Sequence, residues 1–143
     1  LGAFSLIDLK RLKAQLVRHE GMVLTTYECT AGKTTLGVGR NVQEVGITEA
    51  EAMHLLSNDI ARVAGECYGA FSWFKDLDEL RKEAVINMVF NLGLTRFKQF
   101  KKTISYIEAG EFQLAGAEAL DSKWAKDVGN RAVEVANQLA GNP

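Results

Sequence analysis

Cysteine is scarce in this chain. Two in 143 residues do not make a disulfide framework, and Cys29 and Cys67 fall on different expected elements. Charge of one sign is lacking too. Seventeen Lys and Arg against eighteen Asp and Glu leave a net charge of −1. No global basic field therefore draws in nucleic acid or an anionic polymer. The local group Lys98, Lys101 and Lys102 reads as a solvated helix face. The only histidines, His19 and His54, are far apart and lack ligand spacing, which argues against a catalytic metal; no cofactor is expected either. Gly37-x-Gly39 lacks the rest of a phosphate loop. No apolar run is long enough to cross a membrane. Leu1 to Ile7 is too short for the apolar part of a signal peptide with its flanks. The chain opens on Leu1 rather than Met, as a fragment or processed form would. Repeats, low-complexity segments and linkers are absent.

What is present suits a folded domain. The residues are 47% apolar and 24% charged, ordinary for a soluble globular protein and enough for a proper core. The length implies one domain, or two lobes sharing a long helix. Ser5 followed by Asp8 reads as a helix start, with Leu9, Leu12 and Leu16 at helical spacing. Glu20 lies four residues beyond Leu16 on the same stripe, and Gly21 supplies a left-handed stop. Two readings of Glu20 stay open. At a buried helix edge, desolvation would raise its pKa and suit it to donate a proton; otherwise it points to solvent.

Met22 to Glu28 and Thr34 to Val42 read as two strands, with Thr30-Ala31-Gly32-Lys33 as the turn. Alternation puts Tyr27 and Cys29 on one face. A three-residue loop at Ala31–Lys33 would set Cys29 opposite Thr35, the favoured register. A two-residue loop would set Glu28 there instead. Gly37 and Gly39 either let another group approach the backbone closely or relieve strand twist. Thr48 with Glu51 makes a capping box. Met53, Leu56, Ile60, Val63 and Cys67 then mark one long helix, with Cys67 a buried small hydrophobe. Phe71, Trp73 and Phe74 read as core. Glu83 to Leu92 is apolar nearly all round, as in a central buried helix, and Asn87 within it needs hydrogen-bond partners. Shorter helices are expected around Phe97–Ile107, Glu111–Leu120 and Arg131–Leu139. The fold class is α+β, mainly α. A carboxylic acid at a helix end beside polar groups on a short hairpin is the layout of a glycosidase site.

These residues resemble a known family across nearly the whole chain. Glu20, eight residues, Cys29, five residues, Thr35 fits the Glu-Asp-Thr spacing of phage-type lysozymes of glycoside hydrolase family 24, the T-even phage lysozyme group. Gly37-Val38-Gly39 matches that family's Gly-x-Gly strand. Ala84 to Gly93 resembles its central helix. Ser122-Lys123-Trp124 and Asn130-Arg131-Ala132 match its C-terminal segment. The resemblance implies a two-lobed fold: a small lobe at about 18–46, a linking helix at about 48–66, and a helical lobe from about 1–17 and 67–143. It implies hydrolysis of the β-1,4 bond between N-acetylmuramic acid and N-acetylglucosamine. Glu20 would be the general acid, paired with Arg131. Thr35 would help hold the attacking water. Gly39, Phe90, Asn91 and Arg131 would bind substrate; the family more often has Gln where Asn91 stands. Asp59 would pair with Arg40, where the family has a histidine. The partner would be bacterial peptidoglycan, met by a monomer in the periplasm and delivered by phage lysis or tail machinery, with no nucleic acid or membrane involved.

Two departures stand out. The segment Asn41 to Gly46 is short, which should open the cleft on that side. Cys29 replaces the family's aspartate, as in some members. Its thiolate could act as base toward water or as nucleophile. At an ordinary pKa of about 8.5, only a small fraction is ionised at neutral pH. As a neutral thiol it would merely shape the pocket. A paired Arg131 would favour the ionised form of Glu20, against the effect of burial. The alternative functions are a catalytically weakened peptidoglycan-binding module of the same fold and a helical interaction domain without a sugar site.

Overall fold

Asp8 starts the first helix. Its carboxylate accepts the Arg11 N–H at 2.9 Å, and α1 runs Leu9–Glu20. Ser5, the expected start, lies outside the described residues, because the computed structural model describes residues 6–142. The Gly21 N–H closes the last turn on the Val17 carbonyl at 2.9 Å. Gly21 has φ 76° and ψ 170°, a glycine-only conformation but not the left-handed helical one expected. The leucine stripe forms, yet it is not buried. Leu9, Leu12 and Leu16 are 36–42% exposed.

Three antiparallel strands follow in the order β1-β2-β3: Val23–Glu28, Thr34–Gly37 and Arg40–Asn41. The hairpin register is neither of the two expected. Tyr27 stands opposite Thr35, and Glu28 opposite Thr34. The Cys29 N–H donates to the Lys33 carbonyl at 2.9 Å, and Gly32 N–H donates back to the Cys29 carbonyl at 2.8 Å. The loop is therefore Thr30-Ala31-Gly32. Gly32, at φ 75°, takes the positive-φ position that ends a three-residue hairpin loop. The expected second strand is also broken. Gly37 and Gly39 both have positive φ and turn the chain back into β3. Asn41 then caps a short α2, Val42–Val45, accepting the Glu44 N–H at 3.2 Å.

The capping box forms as read. Glu51 N–H donates to Thr48 Oγ1 at 3.1 Å, and Thr48 N–H donates to Glu51 Oε1 at 2.8 Å. The helix it starts, α3, spans Glu49–Ala70, past the expected end. The chain divides into two compact units, Leu1–Met53 and His54–Pro143.

The second unit holds the core. Val63 and Cys67 of α3 are buried in it. Phe74 sits in a 3-10 turn, Phe74–Asp76, fully buried, and Phe71 stacks on Trp73 with ring centroids 4.7 Å apart. Around them run α4 (Glu79–Leu92), α5 (Leu94–Phe97), α6 (Lys101–Glu108), α7 (Phe112–Leu120), α8 (Lys123–Val128) and α9 (Asn130–Ala140). The single helix expected near Phe97–Ile107 is split at Lys98–Phe100 between α5 and α6. Helix α8, capped by Ser122 on the Ala125 N–H, is additional. Helix α4 is not buried all round. Ala84, Val85, Met88, Val89 and Leu92 face the core, while Glu83, Asn87, Phe90 and Asn91 are exposed. Helices α7 and α9 cross tightly: a Cβ on Gly116 would lie 2.7 Å from the Ala136 carbonyl oxygen. Arg81 ties the start of α4 to the end of α9. Its Nε donates to the Leu139 carbonyl at 2.8 Å, it pairs with Asp78, and its guanidinium lies 3.8 Å over the Phe112 ring centre.

Candidate active site

In the first unit, Glu20 ends α1 and is exposed rather than set in a buried edge. Its carboxylate lies against the Gly37–Arg40 turn. A Cβ on Gly39 would sit 3.0 Å from Glu20 Oε2 and 3.2 Å from its Cδ. Gly39 also has φ 70°, so glycine is required twice there, by backbone and by space. Close approach to Gly39 is thus made by the protein's own carboxylate.

The hairpin brings Cys29 and Thr35 together despite the shifted register. Tyr27 and Thr35 are opposite, and Cys29 is two residues on from Tyr27, so Thr35 and Cys29 are diagonal neighbours on one face. Thr35 is buried, 2% exposed, and its hydroxyl donates to the Lys33 carbonyl at 2.9 Å. Cys29 is a free, half-buried thiol. The backbone N–H of Lys33, then that of Ala31, point at its sulfur and hold its pKa below the usual thiol value; partial desolvation opposes them, and the Thr35 hydroxyl helps. That hydroxyl has one proton. Stabilising a thiolate requires it to swing from the Lys33 carbonyl to sulfur. The turn therefore favours a negative charge on Cys29. Cys67 is its opposite: burial foremost, and Glu66 nearby, push its thiol up to about 11.

Arg40 and Asp59, expected to pair, each have another partner within their own unit. Arg40 grips Glu51 through two nitrogens, at 2.7 and 2.8 Å, and the Gly46 carbonyl at 3.1 Å. Asp59 pairs with Arg62, three residues along α3, at 3.3 Å. Both arginines take the carboxylate that local geometry brings within reach.

In the second unit, an open groove of about 410 Å³ is lined by Leu56, Ile60, Glu83, Ile86, Asn87, Phe90 and Arg131. Two expected residues, Phe90 and Arg131, share it. The third, Asn91, turns elsewhere. Its Oδ1 accepts the Trp124 indole N–H at 2.8 Å, which satisfies a buried donor. Arg131 opens α9 and is held by Asn87, Nε to Oδ1 at 2.8 Å and Nη2 to the Asn87 carbonyl at 3.4 Å. Sequence reasoning missed Asn87 and Glu83 as groove residues. The available signal was their spacing with Phe90 and Asn91, which is that of one helix face. Among the described residues, no cluster of three or more His, Cys, Asp or Glu could hold a metal ion, and no helix is long and apolar enough to cross a membrane.

The first unit carries a carboxylic acid, a thiol and a hydroxyl, and the groove of the second has an apolar and polar lining. Comparison with known proteins shows the family. An endolysin of Acyrthosiphon pisum secondary endosymbiont phage 1 is 33% identical over 113 residues, which cover 76% of this chain and 73% of the relative. Probable T4-type lysozyme 1 of Dictyostelium discoideum is 29% identical over 90% of this chain and 92% of its own length. Probable T4-type lysozyme 2 of the same organism is 26% identical over 87% and 90%. The pattern of the phage lysozyme family matches residues 17–139, and the chain belongs to that family of cell-wall glycoside hydrolases.

Proposed function

We propose that this lysozyme is a muramidase that cleaves the β-1,4 bond between N-acetylmuramic acid and N-acetylglucosamine, with Glu20 as general acid. The observation that carries the reading is the Glu20 carboxylate seated on Gly39, at the family spacing from Cys29 and Thr35. Glycoside hydrolysis needs a proton for the departing oxygen and help for an oxocarbenium-like transition state. Glu20 supplies the proton and Gly39 fixes its reach. Cys29, with Thr35, holds the water that completes the reaction. The backbone N–H groups that favour negative charge on its sulfur support a base role over a passive one. In the second unit Phe90 and Arg131 bind sugar: the ring face covers a pyranose, and the guanidinium donates to acetamido or carboxylate oxygens. Asn91 anchors the Trp124 indole. The enzyme works as a monomer on peptidoglycan in the periplasm, reached through phage lysis or tail machinery.

The test is lysis of a wall suspension with product analysis. Glu20→Gln should abolish release of reducing ends, and wild-type activity in that variant would refute the acid assignment. Cys29→Asp should stay active, whereas Cys29→Ser should fall sharply. Equal activity of all three Cys29 forms would remove any chemical role for that position. Wall binding by the wild type without release of reducing ends would favour the weakened binding module.

A further inference from the structure

Asn87 is an exposed polar residue on a helix whose other faces pack the core, and its side chain serves no helix cap. Its partner lies 44 residues away: both its Oδ1 and its main-chain carbonyl receive the Arg131 guanidinium, at 2.8 and 3.4 Å. The two residues, with Phe90 and Ile86, line the same groove. A guanidinium has five N–H groups in a rigid fork. Fixing Nε and one Nη2 proton determines the direction of the whole plane, leaving the remaining N–H groups on defined lines. An arginine without that anchor would search many rotamers before meeting a ligand, and preorganisation removes that entropic cost from binding.

We propose that Asn87 is a positioning residue for glycan binding, setting the Arg131 guanidinium so that its outer N–H groups meet the acetamido or carboxylate oxygens of a sugar chain lying over Phe90. This rests on the reading of the groove as part of the sugar site. Asn87 need not touch substrate. An amide suits the role because it accepts from Nε without the charge that would neutralise the arginine. A carboxylate in its place still accepts, and so should hold the same orientation.

The experiment measures binding of a soluble β-1,4-linked N-acetylglucosamine hexamer by calorimetry, with wall kinetics alongside. Asn87→Leu, matched in size and unable to accept, should raise the dissociation constant and KM about tenfold with kcat changed less than about twofold, the loss expected of a hydrogen bond to a charged group. Asn87→Asp should remain within about threefold of wild type. In an Arg131→Ala background, Asn87→Leu should cost nothing further, because its effect passes through the arginine. If Asn87→Leu fails to fold, Asn87→Ser, too short to reach Nε, takes its place. Binding by Asn87→Leu equal to wild type, or losses that multiply in the double variant, would overturn the positioning role while leaving the groove reading intact. If Arg131→Ala itself binds the hexamer as tightly as wild type, the groove reading fails and the positioning role with it.

Discussion

Replacing Gly39 by alanine strikes two things at once, and they can be separated. The residue has φ 70°, and its new methyl would stand 3.0 Å from Glu20 Oε2, with Cδ and Cγ at 3.2 and 3.3 Å. The backbone part should cost about 1–2 kcal/mol, the penalty for an L side chain in left-handed space. For a chain of this length that is a fall in unfolding midpoint of about 3–7 °C. The contact part need cost little stability, because Glu20 is exposed at a helix end and can swing away. Swinging away is what the proposed role of Glu20 cannot tolerate. Gly110 is the control: its φ is 76°, but nothing lies within 4 Å of where a Cβ would stand. Gly110→Ala should therefore show the same order of stability loss and keep full activity. Gly39→Ala should lose lytic activity at least about tenfold more, since a misplaced catalytic group of about 1 Å can cost a hundredfold. The assay is turbidity loss of a wall suspension, read well below both midpoints. If Gly39→Ala retains the activity of Gly110→Ala, the placing of Glu20 on that turn has no part in catalysis.

The two thiols should titrate apart. Alkylation by iodoacetamide should reach its half-maximal rate at lower pH for Cys29 than for a free thiol, because the turn N–H groups depress its pKa. Cys67, buried and pushed up to about 11, should stay unmodified until the protein unfolds; peptide mapping after a pH series checks both. Gly116→Ala should destabilise by about 1–3 kcal/mol through overpacking against the Ala136 carbonyl, despite alanine's better helix propensity, as urea unfolding would show. Thr48→Ala should cost about 1 kcal/mol by the same measurement, from loss of the cap.

The elements easiest to read from the sequence are those decided within a few residues. The Thr48–Glu51 box needs only local geometry, and it forms as the letters suggest. Helices with clear periodicity are legible, while α5 and α8, each under two turns, are too short to show a period. The hairpin is recognisable but its register is not, because the letters do not say which loop position a glycine takes; Gly32 takes the last, not the middle. On α4, a high apolar count hides an exposed face that spacing alone would show. In the candidate site, the shared face of Cys29 and Thr35 is legible because strand alternation holds over a slipped register. Arg40 is not, since a long-range partner competes with every nearer carboxylate, and Glu51 is nearer at hand. Asn91 suits a sugar by its position in the chain, yet the indole of Trp124 claims its oxygen. Asn87 shows in the sequence only as a polar residue in need of partners; its hold on Arg131 depends on how two helices pack, which no local pattern encodes.

Glu51 fastens two pieces of the molecule with one side chain. The Oε1 atom that accepts the Thr48 N–H also receives Arg40, whose other nitrogen holds Oε2. The opening turn of α3 and the last strand are therefore tied to the same carboxylate. The Thr48 backbone contact foremost, and Arg40 after it, depress the acid's pKa, so the knot is intact at neutrality and above the ordinary carboxylate range. It slackens only as acid drives the pH down through that lowered value. Glutamine would split the two bonds, preserving the box while surrendering the ionic grip. A single methylene shorter, aspartate would still serve the box but reach Arg40 less well.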